Sequence, residues 1–352
     1  MSLSSALSNA LSGLTASAQG ANVISSNLAN SLTEGYAVRG ISLSSRTTGG
    51  DGGVMINGIT RLVDQALIGD RRFSDAELAD VSVQSEFLQR VSVLTGDPTN
   101  ANALTGLMAQ FESALISAAS MPDSEIRLAS VLQSATAITT EMNTTSRGIQ
   151  NLRTEADRKI GQQVSRLNTA LQQVEELNKD IVSANALGRN LAGLMDQRQA
   201  LVDEISSVVP VQELQREMGS IALMTPGGTM LLDGNAAELT FQPHNTIVAH
   251  MTVEDGLLSG LQVNGSDVPA APGGAMSGGA LGGLFSVRDD LLPQVQAELD
   301  AVALDLIERF ESGLDGTLAV GAAGLFTGSG GAVESDVGIS ARIGVNARGD
   351  PA

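Results

Sequence analysis

The chain has 352 residues, no cysteine, no tryptophan, and 39 acidic against 20 basic side chains, for a net charge of −19. That length supports more than one domain, disulfide staples are excluded, and the acidic surface lacks the counterion-release term that drives nucleic-acid binding. No run is long and apolar enough to span a bilayer, and the N-terminus lacks the basic and apolar regions of a Sec-type signal.

The first predicted element is a long helix. Leu3, Leu7, Ala10, Leu14, Ser17, Ala21, Ile24 and Leu28 alternate steps of four and three without a break, which is the a/d seam of a coiled coil and calls for partner helices. Leu3, Leu7, Leu14, Ala21, Ile24 and Leu28 are therefore the candidate assembly interface. Asn30, Thr33 and Gly35 end this helix, and the alternating residues 37 to 60, with the glycine cluster at 49 to 53, predict an extended connector or hairpin. Helical spacing returns from Leu62 to Thr95 and again from Ala101 to Ala119, with Asp123 or Ser124 as the next N-cap.

From Ser124 towards Leu187 the apolar residues Ile138, Met142, Ile149, Ile160, Leu171 and Ile181 keep to one side. At 1.5 Å per residue, Met142 to Ala186 alone extends roughly 65 Å, a rod rather than a globule. Gly188 breaks the rod, and a helix carrying Asp196, Arg198 and Asp203 runs back to Val209. Between Met218 and Val268 the texture changes to short strands, Ile221–Met224, Thr229–Leu232, Glu238–Phe241, Ile247–Val253 and Leu261–Val263, separated by glycine turns. Helix resumes from Leu284 to Glu311. The expected fold is mainly α, an elongated helical bundle with an N-terminal coiled-coil helix and a small inserted β domain. Its parts are an assembly helix and connector (1–60), a helical rod (61–217), a separable β insertion (218–275), and a return to the helical domain with a glycine-rich C-terminal segment (276–352).

Chemistry is sparse. His244 and His250 are the only histidines and have no cysteine beside them for a soft metal site. Asp196 and Asp203 sit seven apart on one helix face, a spacing ordinary for a solvated or salt-bridged helix face, with no nucleophile or basic partner fixed nearby. The glycine clusters lack the Gly-x-x-x-x-Gly-Lys pattern of a phosphate loop and read as joints. Arg348-Gly349-Asp350 matches an adhesion tripeptide that recurs by chance.

Two stretches carry a resemblance. Asn27-Leu28-Ala29-Asn30 followed by Thr33-Glu34-Gly35-Tyr36 is similar to the N-terminal signature of flagellar rod, hook and hook-associated proteins, with Glu34 where the family usually has proline. The stretch Leu191 to Ser206, through Asp196, Arg198, Leu201 and Asp203, resembles the motif of the hook-filament junction branch of that family. Weaker similarity covers Phe111 to Arg127 and Gly282 to Leu292. The resemblance implies a structural subunit without cofactor or catalysis, exported without a cleaved signal and extracellular on the flagellum. It implies a ring or helical self-assembly through terminal helices, contacts with the hook protein and a second junction protein, and no membrane insertion. It also implies that a C-terminal heptad helix, the site of an export chaperone, is missing after Gly313, as if the chain were truncated. A rod or hook protein is the alternative, disfavoured by the helical texture of residues 62 to 210. Tyr36, the single tyrosine, is read as a packing anchor at the foot of the rod.

Overall fold

The computed structural model describes residues 3–33, 35–46, 52–97, 99–311, 324–328 and 336–346. Glu34, residues 47–51 and the tripeptide at 348–350 lie outside them. The fold is mainly α with small sheets.

Helix α1 (Leu3–Ala29) leads into an antiparallel hairpin, β1 (Arg39–Ser45) and β2 (Val54–Arg61), with a bulge between Ser42 and Leu43. Helix α2 (Gln65–Thr95) starts three residues later than its apolar pattern, because the Asp64 carboxylate accepts from the Ala66 and Leu67 amides and caps it. Gly96, at φ +75°, ends it. Helix α3 (Leu104–Ser120) is followed by the rod, α4 (Glu125–Ala186), 62 residues long, with Ser124 at the N-cap position but making no side-chain cap bond. The apolar line from Ile138 to Ile181 is buried along its length. Gly188, at φ +65°, turns the chain into α5 (Ala192–Val208), which packs back on α4.

A four-stranded antiparallel sheet follows, β3 (Gln212–Gln215), β4 (Ile221–Met224), β5 (Met230–Asp233) and β6 (Asn235–Ala236), in chain order. The expected boundary at 218 falls inside it, because β3 is a nearly all-polar strand whose alternation is too weak to read. A second sheet joins β7 (Leu239–Thr240), β8 (Leu261–Val263) and β9 (Ser266–Val268). The strand expected over 247–253 is a run of loop and turns instead. Two of its backbone acceptors go to a buried arginine instead of a ladder: Arg153 donates to the carbonyls of Val248, at 3.3 Å, and Met251, at 2.9 Å, and the Met251 amide turns back onto the Val248 carbonyl. Burial pushes the Arg153 guanidinium down to about 10.

Helix α6 (Gly279–Ser286) continues through a π turn, Val287–Leu291, into α7 (Leu292–Arg309). The π turn carries Arg288, fully buried with Asp157 of α4 at 2.6 Å. Two core clusters result. The larger unites α4, α5 and α6 with the buried residues of both sheets, Leu223, Leu232, Leu239 and Leu261 among them.

The smaller core, at the other end of the bundle, gathers Phe111, Ile138, Met142 and Ile307 with Phe326, Ile339 and Ile343. The last three come from the segment expected to be a glycine-rich tail. That segment forms an antiparallel pair, β10 (Phe326–Gly328) with β11 (Ile343–Val345), and Phe326 stacks edge-on against Phe111 and Phe310 at 5.6 and 5.3 Å. Asp300 of α7 accepts from the Gly338 and Ser340 amides at 2.7 and 2.9 Å, and Asn143 donates to the Ser340 and Ile343 carbonyls. Its apolar residues have no period, so pattern alone could not place it in the bundle.

Candidate assembly interface

Helix α1 has two seams. Leu3, Leu7, Leu14, Ala21, Ile24 and Leu28 are all exposed, Leu3 at 92% and Leu28 at 75%. Two residues further on, Ser5, Asn9, Ser12, Ala16, Gln19, Val23 and Ser26 repeat the same steps of four and three, and each of these is buried or half-buried, as are the adjoining Gly13, Gly20 and Asn27. Two positions at 100° each put the second seam about 200° from the first, on the opposite face. It packs on the β1–β2 hairpin, where the Val54 amide donates to Ser12 Oγ at 3.1 Å. The hairpin thus occupies the small, polar seam and leaves the leucine seam open.

The hairpin-facing seam was missed in the sequence, although its heptad spacing is as regular as that of the leucines. Its residues are small or polar, and apolar period alone does not see them.

At the foot of α1 the first motif closes on itself. Asn27 Nδ2 donates to the Arg39 carbonyl at 2.9 Å, while Asn27 Oδ1 accepts from the Arg39 amide at 3.0 Å and the Tyr36 hydroxyl at 2.9 Å. The Arg39 guanidinium lies 4.8 Å from the Tyr36 ring centroid. Asn30 Nδ2 donates to the Ser26 carbonyl, and Thr33 donates to Asn30; Ala29 and Thr33 are exposed. Gly35 adopts φ +77°, a conformation that favours glycine, and a Cβ there would stand 3.6 Å from Ala200 of α5.

The second motif meets the first. Asp196 Oδ2 accepts from Arg39 at 3.1 Å, and Oδ1 accepts from Arg61 Nε at 2.8 Å and the Ala37 amide at 3.3 Å. Arg61 also donates to Gln199 at 2.7 Å. Asp203 instead binds Arg71 and Arg72 of α2, and Arg72 reaches Glu213 of β3 at 2.9 Å. Arg198 is buried, which lowers its pKa, and donates to Asn178 and to the Gly219 carbonyl at 2.9 and 2.7 Å. Leu201 packs half-buried on the larger core. The two aspartates are therefore carboxylates saturated by arginines. Nothing in the sequence picked out Arg39 and Arg61, or Arg71 and Arg72, as their partners, because they lie more than 130 residues away.

The helical architecture and these two motifs frame the comparisons with known proteins. The model of the flagellar hook-associated protein FlgK helical domain matches residues 88–321, about two thirds of the chain. The chain belongs to the FlgK family. Residues 7–36 also match the flagella basal body rod protein model, the region of the leucine seam and the Asn27 clamp. Flagellar hook-associated protein 1 of Salmonella typhimurium is 24% identical over 324 residues, covering 88% of this chain and 56% of that protein. Its namesake in Bacillus subtilis is 24% identical over 334 residues, covering 86% of this chain and 66% of the relative. The chain spans between a little over half and two thirds of the length of these relatives. The solved structure of the flagellar hook junction protein FlgK from Burkholderia pseudomallei has the same fold, with a TM-score of 0.60 and 21% identity over 74% of this chain and 46% of that one. FlgK proteins are structural flagellar proteins, and the α-rich body with a small β part agrees with that fold. No helix among the described residues is long and apolar enough to cross a membrane.

Proposed function

We propose that this chain is a structural subunit of the junction between hook and filament on the outside of the bacterial flagellum, assembling through α1. The observation that carries this reading is the division of α1 into two seams. Leucines and isoleucine held outward at heptad spacing over about 38 Å, from Leu3 to Leu28, are left with no partner in the described chain, and burying them needs other helices. Those helices belong to further copies of the subunit and, at the two faces of its ring, to the hook protein and a second junction protein. Export would proceed through the flagellar type III route, with the aid of an export chaperone. A rod or hook protein is the second reading, since the rod-protein match covers α1, but the 62-residue α4 and the match over 88–321 favour the junction.

The test is the double substitution Leu14→Asp and Leu28→Asp in the complete protein. Charges placed in an a/d seam are costly once partners bury them, yet both side chains are exposed in the single chain. Melting and export should be unchanged, while filament subunits are lost to the medium and the cells fail to swim. Swimming cells carrying a folded double variant would overturn the proposal.

A further inference from the structure

The α1–hairpin unit and the helical body are joined by little packing. Covalently they are linked through Leu62, Val63 and Asp64. Between hairpin and body runs an open groove of about 840 Å³, bordered by Gln19, Asn57, Arg189, Met195 and Glu213. Among the described residues, four hydrogen bonds cross from residues 35–61 to α5, all onto Asp196 or Gln199.

The register of the hairpin explains why the bonds converge there. Arg39 and Arg61 are the first cross-strand pair at its open end. Like charges directly opposite one another in an antiparallel pair repel and weaken the ladder. Here both guanidinium groups turn onto one carboxylate, and Asp196, with its side chain only 13% exposed, bridges them and offsets much of their mutual repulsion. Asn27 meanwhile holds both backbone polar groups of Arg39. The last turn of α1, both strands and α5 are therefore tied at a single point across a groove that packing does not fill.

We propose that Asp196 is a positioning residue, a latch that fixes the direction in which the α1–hairpin unit leaves the helical body. Without it, the two arginines repel each other at the hairpin's open end, and the unit tilts into the groove. The latch is a property of the single chain, so it stands or falls independently of the junction reading.

The chain has no native cysteine, so spin labels can be placed cleanly at Ser45→Cys on β1 and Ser165→Cys on α4, both exposed. Pulsed electron-spin distance measurements on the isolated chain should give a narrow distribution in the otherwise unaltered protein. Asp196→Ala should widen it at least twofold, with helix content unchanged by circular dichroism. Arg61→Gln, which removes a partner from the other side, should widen it as well and guards against a folding defect peculiar to the first variant. Asp203→Ala removes a comparable ion pair inside the body and should leave the width alone. Unchanged widths in both Asp196→Ala and Arg61→Gln, or equal widening in Asp203→Ala, would overturn the latch.

Discussion

Arg90 and Glu155 illustrate how single side chains join helices in this molecule. The Arg90 fork donates to both carboxylate oxygens of Glu155, at 2.8 and 2.6 Å, and ties α2 to α4, with Lys159 3.5 Å from the same carboxylate. The hydrogen bonds from Arg90 hold Glu155 at about 2, below its ordinary 4.5. The unfolded chain therefore takes up this proton at a higher pH than the folded one. The pair's contribution is complete above pH 4.5 and is lost as pH falls through 4.5 towards 2. Glu155 is half-buried, so solvent screening keeps the contribution modest. Glu155→Gln should flatten the acid limb of the stability curve in that window, read as urea midpoints against pH; a limb as steep as that of the parent chain would refute the assignment. At this scale the sequence was half legible. The heptad spacing of Asp196 and Asp203 pointed to a solvated or salt-bridged helix face, and of the two it is the salt-bridged one that the structure has. Their arginines were not legible, because a contact between residue 39 and residue 196 leaves no local period.

Among the elements, α2 and α6 pack closely, and glycine makes it possible. A Cβ on Gly283 would stand 2.8 Å from the Asp80 carbonyl oxygen, a backbone atom that cannot swing aside. Gly283→Ala should destabilise by about 1–3 kcal/mol through this overpacking. Gly69, inside α2, has open space where a Cβ would go. There Gly69→Ala should stabilise by up to about 1 kcal/mol, the ordinary helix-propensity gain. Thermal melting of the two variants should move in opposite directions, and a shared sign would contradict the close-packing account. Helices were the most legible elements, since α4 buries the same apolar line that its spacing predicts. The strand expected at Ile247 failed for a tertiary reason. Arg153 competes for its carbonyls, and the Ile247 amide donates to Thr154 Oγ1 at 3.1 Å, both residues lying on a helix about a hundred positions earlier.

Over the whole molecule, the turn-punctuated texture of residues 218 to 268 suggested a unit that could be removed. The packing argues otherwise. Leu223, Leu232 and Leu261 share one contiguous core with Leu167 and Leu171 of α4, and α4 donates from Asn168 and Asn178 to the carbonyls of Leu239 and Ile221. Replacing 218–275 by a short Gly/Ser linker should strip one side of α4 and abolish cooperative melting; a single sharp transition in the shortened chain would restore the separable reading. Four of the expected strands, at 221–224, 229–232, 238–241 and 261–263, were visible in the sequence, but what they pack against was not, because burial of a short strand says nothing about its partner. The two seams of α1 carry a last consequence. Each residue added to or removed from a helix rotates everything beyond it by about 100°, whereas seven residues restore its bearing to within about 20°. A helix that must present one face to its own hairpin and the opposite face to neighbours can therefore change length only by near-whole numbers of turns, such as about seven, eleven or eighteen residues.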